Sequence, residues 1–299
     1  MPAGQEIRRV QLGKYELDAW YKSPYPDGIA ADKLFVCEFC LKYYTSAADV
    51  CRCCSGPGAR RRPPGREVYR QGRLRAFEVD GVEHQLYGQC LCLLAALFLD
   101  HADAAYRVSP FLFYVFAEEK DRVAAGGNAA AYSEAGQEQG QLDSESDSEF
   151  ELMAYFSKEK EACDKNLGCI LTLPPYQRRG LGTLMVEFSY ALSRAEGKPG
   201  TPERPLSDLG QLQYRSYWSR ILVTQLAEEL SQHRQQGGGS YSTVHELSMQ
   251  TFLTEDDIVS TLLPLNFLRV ATCSEHRQHR GAHGVSHSPC ALASHLTFI

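Results

Sequence analysis

The chain has 299 residues, 43% hydrophobic and 23% charged, with a formal net charge of −6 at pH 7. That is enough apolar material for a sizeable core, as one large domain or two or three small ones, and the bulk charge does not announce a nucleic-acid binder. The polar start from Met1 to Val10 reads against a secretory signal, and the longest apolar run, Cys90 to Leu99, is about half of what spans a bilayer, so the expectation is a soluble, intracellular chain. Eleven cysteines, an odd number, then read as thiols and metal ligands rather than as a disulfide framework.

Taken in order, residues 7–36 hold short extended runs that end in Lys33-Leu34-Phe35-Val36, directly before a pair of cysteines. Residues 37–54 are dense in cysteine, and residues 55–66 form a Gly/Pro/Arg connection that includes the basic cluster Arg60, Arg61, Arg62 and Arg66. Residues 74–88 alternate like two strands around an Asp80-Gly81 turn. Gln89 to Asp100 is apolar and long enough for a buried helix, and Phe111 to Phe116 reads as a core strand. Residues 118–149 are rich in Ala, Gly, Gln, Ser and acidic residues and nearly free of large hydrophobes, which predicts a disordered acidic insertion. Structure should resume at Phe150 to Phe156.

A strand from Cys169 to Leu173 is expected next, then a turn, then a helix from Thr183 with Leu184, Phe188 and Leu192 on one buried face. Arg215 to Leu230 reads as a second helix. Residues 241–270 read as two short helices, with Thr254 and Asp257 placed for a capping box at the second. Residues 271–299 form a His-, Gly- and Ser-rich tail expected to be poorly ordered. Cys273, His276, His287 and Cys290 in it fit no closed metal site, and a solvated tail is the preferred reading.

The most informative stretch runs Cys169-Ile-Leu-Thr-Leu-Pro-Pro-Tyr-Gln-Arg-Arg-Gly-Leu-Gly-Thr183. A strand enters a turn, and a helix starts at once. Glycines let backbone approach a pyrophosphate closely, and the helix N-terminus adds a positive dipole end. Two arginines suit a ligand with several phosphate charges. The Pro-Pro pair ends strand pairing after Leu173 and would leave backbone groups free for an extended ligand arm. A bare Gly-x-Gly turn would be weak, but the full Gln177-Arg178-Arg179-Gly180-Leu181-Gly182 after an apolar strand resembles the acetyl-coenzyme A loop of the N-acetyltransferase superfamily.

The resemblance narrows when further blocks are added. Gly13-Lys-Tyr-Glu-Leu-Asp-Ala-Trp-Tyr21, Cys37-Glu-Phe-Cys-Leu-Lys42, Phe77-Glu-Val-Asp-Gly81, Leu97-Phe-Leu-Asp-His101, Pro110-Phe-Leu-Phe-Tyr114, Tyr155-Phe-Ser-Lys-Glu-Lys160 and Pro205-Leu-Ser-Asp-Leu-Gly210 resemble blocks of the MYST family of histone acetyltransferases, in that family's order. The resemblance implies an α+β fold: an N-acetyltransferase-like central mixed sheet, a flanking N-terminal zinc-finger region and a C-terminal helix-turn-helix-like region. It divides the chain into residues 1–66 (β/zinc finger), 67–117 with 150–220 (acetyl-coenzyme A-binding catalytic core), 118–149 (insertion), 221–270 (helical region) and 271–299 (tail).

It also implies acetyl transfer from acetyl-coenzyme A to a lysine of a histone or other chromatin protein, in the nucleus, with histone tails and the accessory subunits of a chromatin complex as expected partners. A lysine has a pKa near 10.4, so only about one in a thousand is neutral at neutral pH, and a positioned carboxylate is a suitable general base. Glu203, in Thr201-Pro-Glu-Arg-Pro205, matches the family's base. Cys169 matches the family's active-site cysteine, which either carries an acetyl group or packs beside the thioester; direct transfer with Glu203 as base is the preferred reading. The cofactor contacts implied are Ile170 and Thr172 through their backbone, the turn Gln177, Arg178, Arg179, Gly180, Leu181, Gly182, Thr183 and Leu184, and the hydroxyls of Ser207 and Ser216.

The family's finger is written C-x2-C then H-x3-C. Cys37 and Cys40 fit its first half, but Cys53 and Pro57 stand where histidine and the last cysteine belong. Cys51 and Cys54 supply a second C-x2-C pair, so Cys37, Cys40, Cys51 and Cys54 are expected to hold a structural zinc, with Cys53 as a substitute for either distal ligand. The lysine that becomes acetylated in the family is Ala102 here. Glu246, Glu255, Asp256 and Asp257 outnumber basic residues in the C-terminal helices, which weighs against direct DNA binding there without deciding it. Two readings compete: a non-catalytic chromatin-binding module that kept the fold, and a small-molecule N-acetyltransferase.

Overall fold

The computed structural model describes residues 7–26, 29, 31–54, 61–100, 107–120, 148–162, 164–236, 242–270 and 296–298. The expected insertion therefore lies outside the described residues from 121 to 147, as do Ala102 and the Cys/His positions of the tail. The chain divides into two compact units. One holds residues 1–161 and 168–181; the other holds 162–167 and 182–299.

The first unit is built on two sheets. The strands β1 (Arg9–Leu12), β2 (Tyr15–Asp18), β3 (Lys33–Val36) and β4 (Tyr43–Tyr44) lie in the order β2-β1-β3-β4, with β1 and β3 parallel. Their alternation buries Val10, Leu12, Leu34 and Val36 on one side. The second sheet contains β5 (Arg66–Gln71), β6 (Leu74–Asp80), β7 (Phe111–Glu119), β8 (Phe150–Glu159) and β10 (Ile170–Thr172) in the order β10-β8-β7-β6-β5. The α+β class stands as expected. All pairings in this five-stranded sheet are antiparallel, and the parallel pairings fall in the smaller sheets.

β7 and β8 are the buried middle of the sheet, from Phe113 to Ala117 and from Leu152 to Lys158. Tyr114 stacks on Phe156 at 4.8 Å, and Phe77 meets Phe150 edge-on at 5.4 Å. Such aromatic pairs add to the apolar burial that holds the layer. β7 runs on through Glu118 and Glu119, which pair with Glu151 and Phe150, so the two strands are joined at the foot of the acidic insertion.

The expected hairpin at Asp80-Gly81 is corrected. The hairpin is β5–β6, one turn earlier, and after Asp80 the chain enters the helix α2 (Gln85–Ala96). The Asp80 carboxylate accepts from the Val82 N–H at 2.7 Å and its carbonyl accepts from the His84 N–H at 2.9 Å, which starts a helical turn where alternation alone suggests a strand. Gly81 is required here because a Cβ would lie 1.9 Å from the Val108 carbonyl oxygen. α2 is buried from Cys90 to Ala96, as the apolar run predicts.

The second unit contains β9 (Lys165–Leu167) paired in parallel with β11 (Thr201–Pro202), and most of α3 (Leu181–Glu196). Its helices α4 (Asp208–Gln236), α5 (Val244–Thr251) and α6 (Glu255–Leu262) pack on one another. The buried face of α3 is Met185, Val186, Ser189, Tyr190 and Ser193; Leu184, Phe188 and Leu192 flank it at intermediate burial, one step from where apolarity alone put it. α4 is longer than expected at both ends. It buries Tyr214, Tyr217, Trp218, Leu222 and Leu226 at helical spacing.

The two short C-terminal helices appear as read from the sequence. The full capping box, however, belongs to α5, where Thr243 and Glu246 bond reciprocally. At α6 the Thr254 hydroxyl accepts from the Asp257 N–H, but the Asp257 carboxylate turns elsewhere. β12 (Leu268–Val270) pairs with β13 (Leu296–Phe298). Among the described residues no helix is long and apolar enough to cross a membrane.

Candidate active site

In the first unit, β10 is the edge strand of the five-stranded sheet, and its register on β8 is Ile170 to Phe156 and Thr172 to Ala154. Leu171 and Leu173 are buried while Ile170 and Thr172 are half-exposed, so both expected cofactor-contacting residues of the strand share its open face. Pro174–Tyr176 form a single 3₁₀ turn that ends the strand.

The turn that follows is exposed from Gln177 to Gly180. Arg178 has φ +61° and Gly180 φ +81°. The first is a left-handed conformation that a side chain rarely adopts, and such strain collects at ligand-binding backbone. Alternating left-handed residues aim successive N–H groups into one concavity, which attracts anions. Space around Gly180 is open: a Cβ there would meet nothing within 4 Å. The Arg179 guanidinium lies 5.2 Å over the Tyr176 ring, and Tyr176 in turn meets Tyr15 edge-on at 5.7 Å. The chain enters α3 at Leu181, two residues earlier than Thr183, so the turn runs straight into a helix N-terminus. Open backbone, two cations and a helix start fit the pyrophosphate of a coenzyme.

Cys169 directly precedes β10 and is half-buried. Ser157 holds it: the Cys169 N–H donates to the Ser157 hydroxyl at 3.0 Å, and the Ser157 N–H donates to the Cys169 carbonyl at 2.9 Å. Its neighbourhood includes the buried thiol of Cys92, pushed up to about 12 by burial first and by Cys169 second. Ser157 carried no signal in the sequence beyond its place in the Tyr155–Lys160 block.

In the second unit, Glu203 follows β11. Its N–H donates to the Leu167 carbonyl at 2.7 Å and its side chain is exposed. Gly200 packs where a Cβ would lie 2.5 Å from the Ser193 hydroxyl. Next to Glu203, Arg204 donates to the buried Asp257 carboxylate at 2.6 Å. Ser207 is exposed and accepts from the Gly210 N–H at 3.1 Å, which makes it the cap of α4. Ser216 is exposed on α4. Gly182 lies where a Cβ would crowd the Gln213 amide at 2.8 Å; Thr183 is exposed and Leu184 half-exposed.

The cysteine cluster lies in the first unit. The sulfurs of Cys37, Cys40 and Cys54 all lie within 4.8 Å of one another, with Cys37 to Cys54 at 3.6 Å. Leu41, buried with φ +62°, makes the tight turn of the first pair, and its N–H donates to the Cys37 carbonyl. The Cys37 thiol is pushed down to about 5, chiefly by hydrogen bonding from Cys40. Tetrahedral thiolates around zinc at ~2.3 Å stand about 3.8 Å apart, so this spacing fits the metal. Cys51 and Cys53 belong to the helix α1 (Ala47–Cys53), and their side chains lie outside the described residues.

The sequence matches the MOZ/SAS family over residues 62–137 and 141–285, and the MYST family zinc finger domain over residues 5–53. It is 42% identical over 294 residues to the putative MYST-like histone acetyltransferase 1 of Oryza sativa subsp. japonica, covering 98% of this chain and 56% of that protein. It is 41% identical over 268 residues to the histone acetyltransferase MOF of Drosophila melanogaster, covering 88% of this chain and 28% of that one. With the histone acetyltransferase Tip60 homolog of Caenorhabditis elegans, the identity is 38% over 89% of this chain and 52% of the relative. The chain thus spans about half the length of the rice and nematode relatives and just over a quarter of the fly one.

Proposed function

Because the chain belongs to the MOZ/SAS family of MYST acetyltransferases, we propose that it transfers an acetyl group from acetyl-coenzyme A to a lysine side chain of a histone or another chromatin protein. The observation that carries this reading is the exposed, doubly left-handed Gln177–Gly180 turn feeding directly into α3. Bound acetyl-coenzyme A would supply an activated acyl group on a thiolate leaving group. Backbone N–H groups of the turn, with Arg178 and Arg179, hold its pyrophosphate. The open face of β10, at Ile170 and Thr172, receives the extended arm. Gly182, Thr183 and Leu184 continue the loop, and the hydroxyls of Ser207 and Ser216 complete the cofactor contacts.

Glu203 acts as general base. The substrate amine gives its proton to the Glu203 carboxylate as the C–N bond forms and the thioester C–S bond breaks, with coenzyme A leaving as thiolate. Cys169 packs beside the thioester and takes no acetyl group. Cys37, Cys40, Cys51 and Cys54 would hold a zinc ion, whose role would be structural. The catalytic core spans residues 67–117 and 150–220, with the finger before it and the helical region after it. On this reading the protein acts in the nucleus, with histone tails as substrate and accessory subunits supplying recognition; its family membership supports this.

Acetyl transfer from labelled acetyl-coenzyme A to histone peptides, set against free polyamines, tests the proposal. Peptide acetylation with inert polyamines is the expected result. Acetylated polyamines alone would make the chain a small-molecule acetyltransferase, and no transfer with intact cofactor binding would make it a binding module.

A further inference from the structure

The segment that carries Glu203 is tied down at both ends to one stretch of the second unit. At its start, the Gly200 N–H donates to the Phe252 carbonyl at 3.0 Å, and Gly200 bridges to Leu253. At its end, Arg204 Nη2 donates to Asp257 Oδ1 at 2.6 Å. Between the two anchors, the Glu203 N–H is bonded to Leu167 and its carboxylate is exposed.

Three observations make the second anchor more than a surface ion pair. The Asp257 side chain is 1% exposed and its Oδ2 has no hydrogen-bond partner among the described residues. A carboxylate buried that far is tolerated only with a compensating charge, so it is committed to Arg204. The Arg204 guanidinium also lies 5.8 Å over the Trp218 ring, and Trp218 Nε1 donates to the Tyr190 hydroxyl at 2.7 Å inside the helical core. Finally, Asp257 stands three residues after the cap Thr254, where a carboxylate ordinarily closes a capping box; here it has been diverted to Arg204.

We infer that Asp257, acting through Arg204, is a positioning residue that sets where the Glu203 carboxylate stands. This rests on the reading of Glu203 as the base. An exposed side chain on a short loop has rotamer freedom of its own, so the backbone on which it rides must be fixed. Two anchors around one residue, each on the 252–257 stretch, do that.

The test uses Arg204→Ala, Arg204→Lys and Asp257→Asn, alone and combined with Glu203→Gln, assayed with a histone peptide across pH. A base displaced by about an ångström costs on the order of a hundredfold in rate. The expected result is a fall in kcat of about that size with little change in the KM for acetyl-coenzyme A. The deficit should shrink as pH rises and more lysine is already neutral. Arg204→Lys should recover more of kcat than Arg204→Ala. In the Glu203→Gln background, Arg204→Ala should cost less than about twofold, since residues that act as one unit are not additive. Hydrogen exchange at the Glu203 amide should quicken in both Arg204→Ala and Asp257→Asn.

If Arg204→Ala does not fold, the double variant Arg204→Met with Asp257→Leu removes both charges and strands neither, and the same fall in kcat is expected of it. A rate loss equal at every pH, additive with Glu203→Gln, and an unchanged Glu203 amide would reduce the pair to a staple of α6 and overturn the inference. Full activity of Glu203→Gln alone would instead dismiss Glu203 as the base, and amide exchange would then decide whether Asp257 orders the segment.

Discussion

Ser157 and Cys169 exchange backbone hydrogen bonds with help from a side chain: the Ser157 hydroxyl accepts from the Cys169 N–H at 3.0 Å while the Ser157 N–H donates to the Cys169 carbonyl at 2.9 Å. Ser157 is 5% exposed, so its hydroxyl bonds away from competing water. Ser157→Ala should destabilise the protein by about 1 kcal/mol, the ordinary net worth of such a bond. It should also lower turnover by loosening the start of β10. Urea unfolding gives the first number. An unchanged midpoint would mean that the sheet register alone holds Cys169.

At Gly180, φ is +81° and space is open. Gly180→Ala should therefore cost only the left-handed backbone penalty, roughly 1–2 kcal/mol. Gly180→Asp adds a negative charge in the concavity and should abolish most of the affinity for acetyl-coenzyme A while circular dichroism stays native. Calorimetric titration separates the two. Equal affinities for Gly180→Asp and wild type would leave the turn without a phosphate role.

Glu203→Gln keeps the shape and removes the proton acceptor. Loss of a general base costs typically about a hundredfold to ten-thousandfold, and cofactor binding should survive. Cys169→Ala should keep most of the turnover if the amine attacks directly. An inactive Cys169→Ala, together with an acetyl group trapped on Cys169 in the absence of substrate, would sink direct transfer.

Elemental analysis should find one zinc ion per chain, and replacing Cys37 and Cys40 with serine should release it. Acid should release it too, because thiolate ligands must be deprotonated to bind. A stably folded, metal-free protein would refute the cluster. Separate Cys51→Ser and Cys53→Ser variants identify the distal ligand: only the first should lose zinc.

The α5 cap has a pH signature. The Glu246 carboxylate is held below its ordinary range, chiefly by the backbone N–H of Thr243 and then by its hydroxyl. A depressed carboxylate adds stability that is fully present above its unfolded pKa, about 4.3, and is lost as pH falls through the lower folded value. Glu246→Gln should thus lower the melting temperature at pH 7 and have no effect once the carboxylate is protonated. A shift of equal size at both pH values would assign the loss to helix propensity.

Much of the fold is legible because its signals are local. The extended runs before Cys37, the apolar helix around Cys90, the strand at Phe111 and the turn at Gly180 each declare themselves within a short window. Where sequence reading fails, a distant partner decides. Residues 82–88 alternate like a strand, yet the Asp80 carbonyl and carboxylate start a helix against Val108. Thr254 and Asp257 read as a capping box, yet Arg204, far back in the chain, takes the carboxylate. Ser207 resembled a cofactor contact and is also the cap of α4. In the candidate site, the turn and the Glu203 loop are legible as residue types, whereas the bonds of Ser157 to Cys169 and of Asp257 to Arg204 are announced by no spacing.

The boundary between the two units falls at three places in the chain, after residues 161, 167 and 181. Neither unit can therefore be excised as one unbroken stretch of chain, and a gene cut anywhere between residues 162 and 181 severs both. During synthesis the first unit lacks its edge strand β10 until residue 172 has emerged. β9, already made, must wait with an unpaired edge for β11 at residues 201–202. An exposed strand edge of that kind invites pairing with another nascent chain. The fold thus has an interval on the ribosome, a few seconds long at about 5–20 residues per second, in which a chaperone would have most to protect.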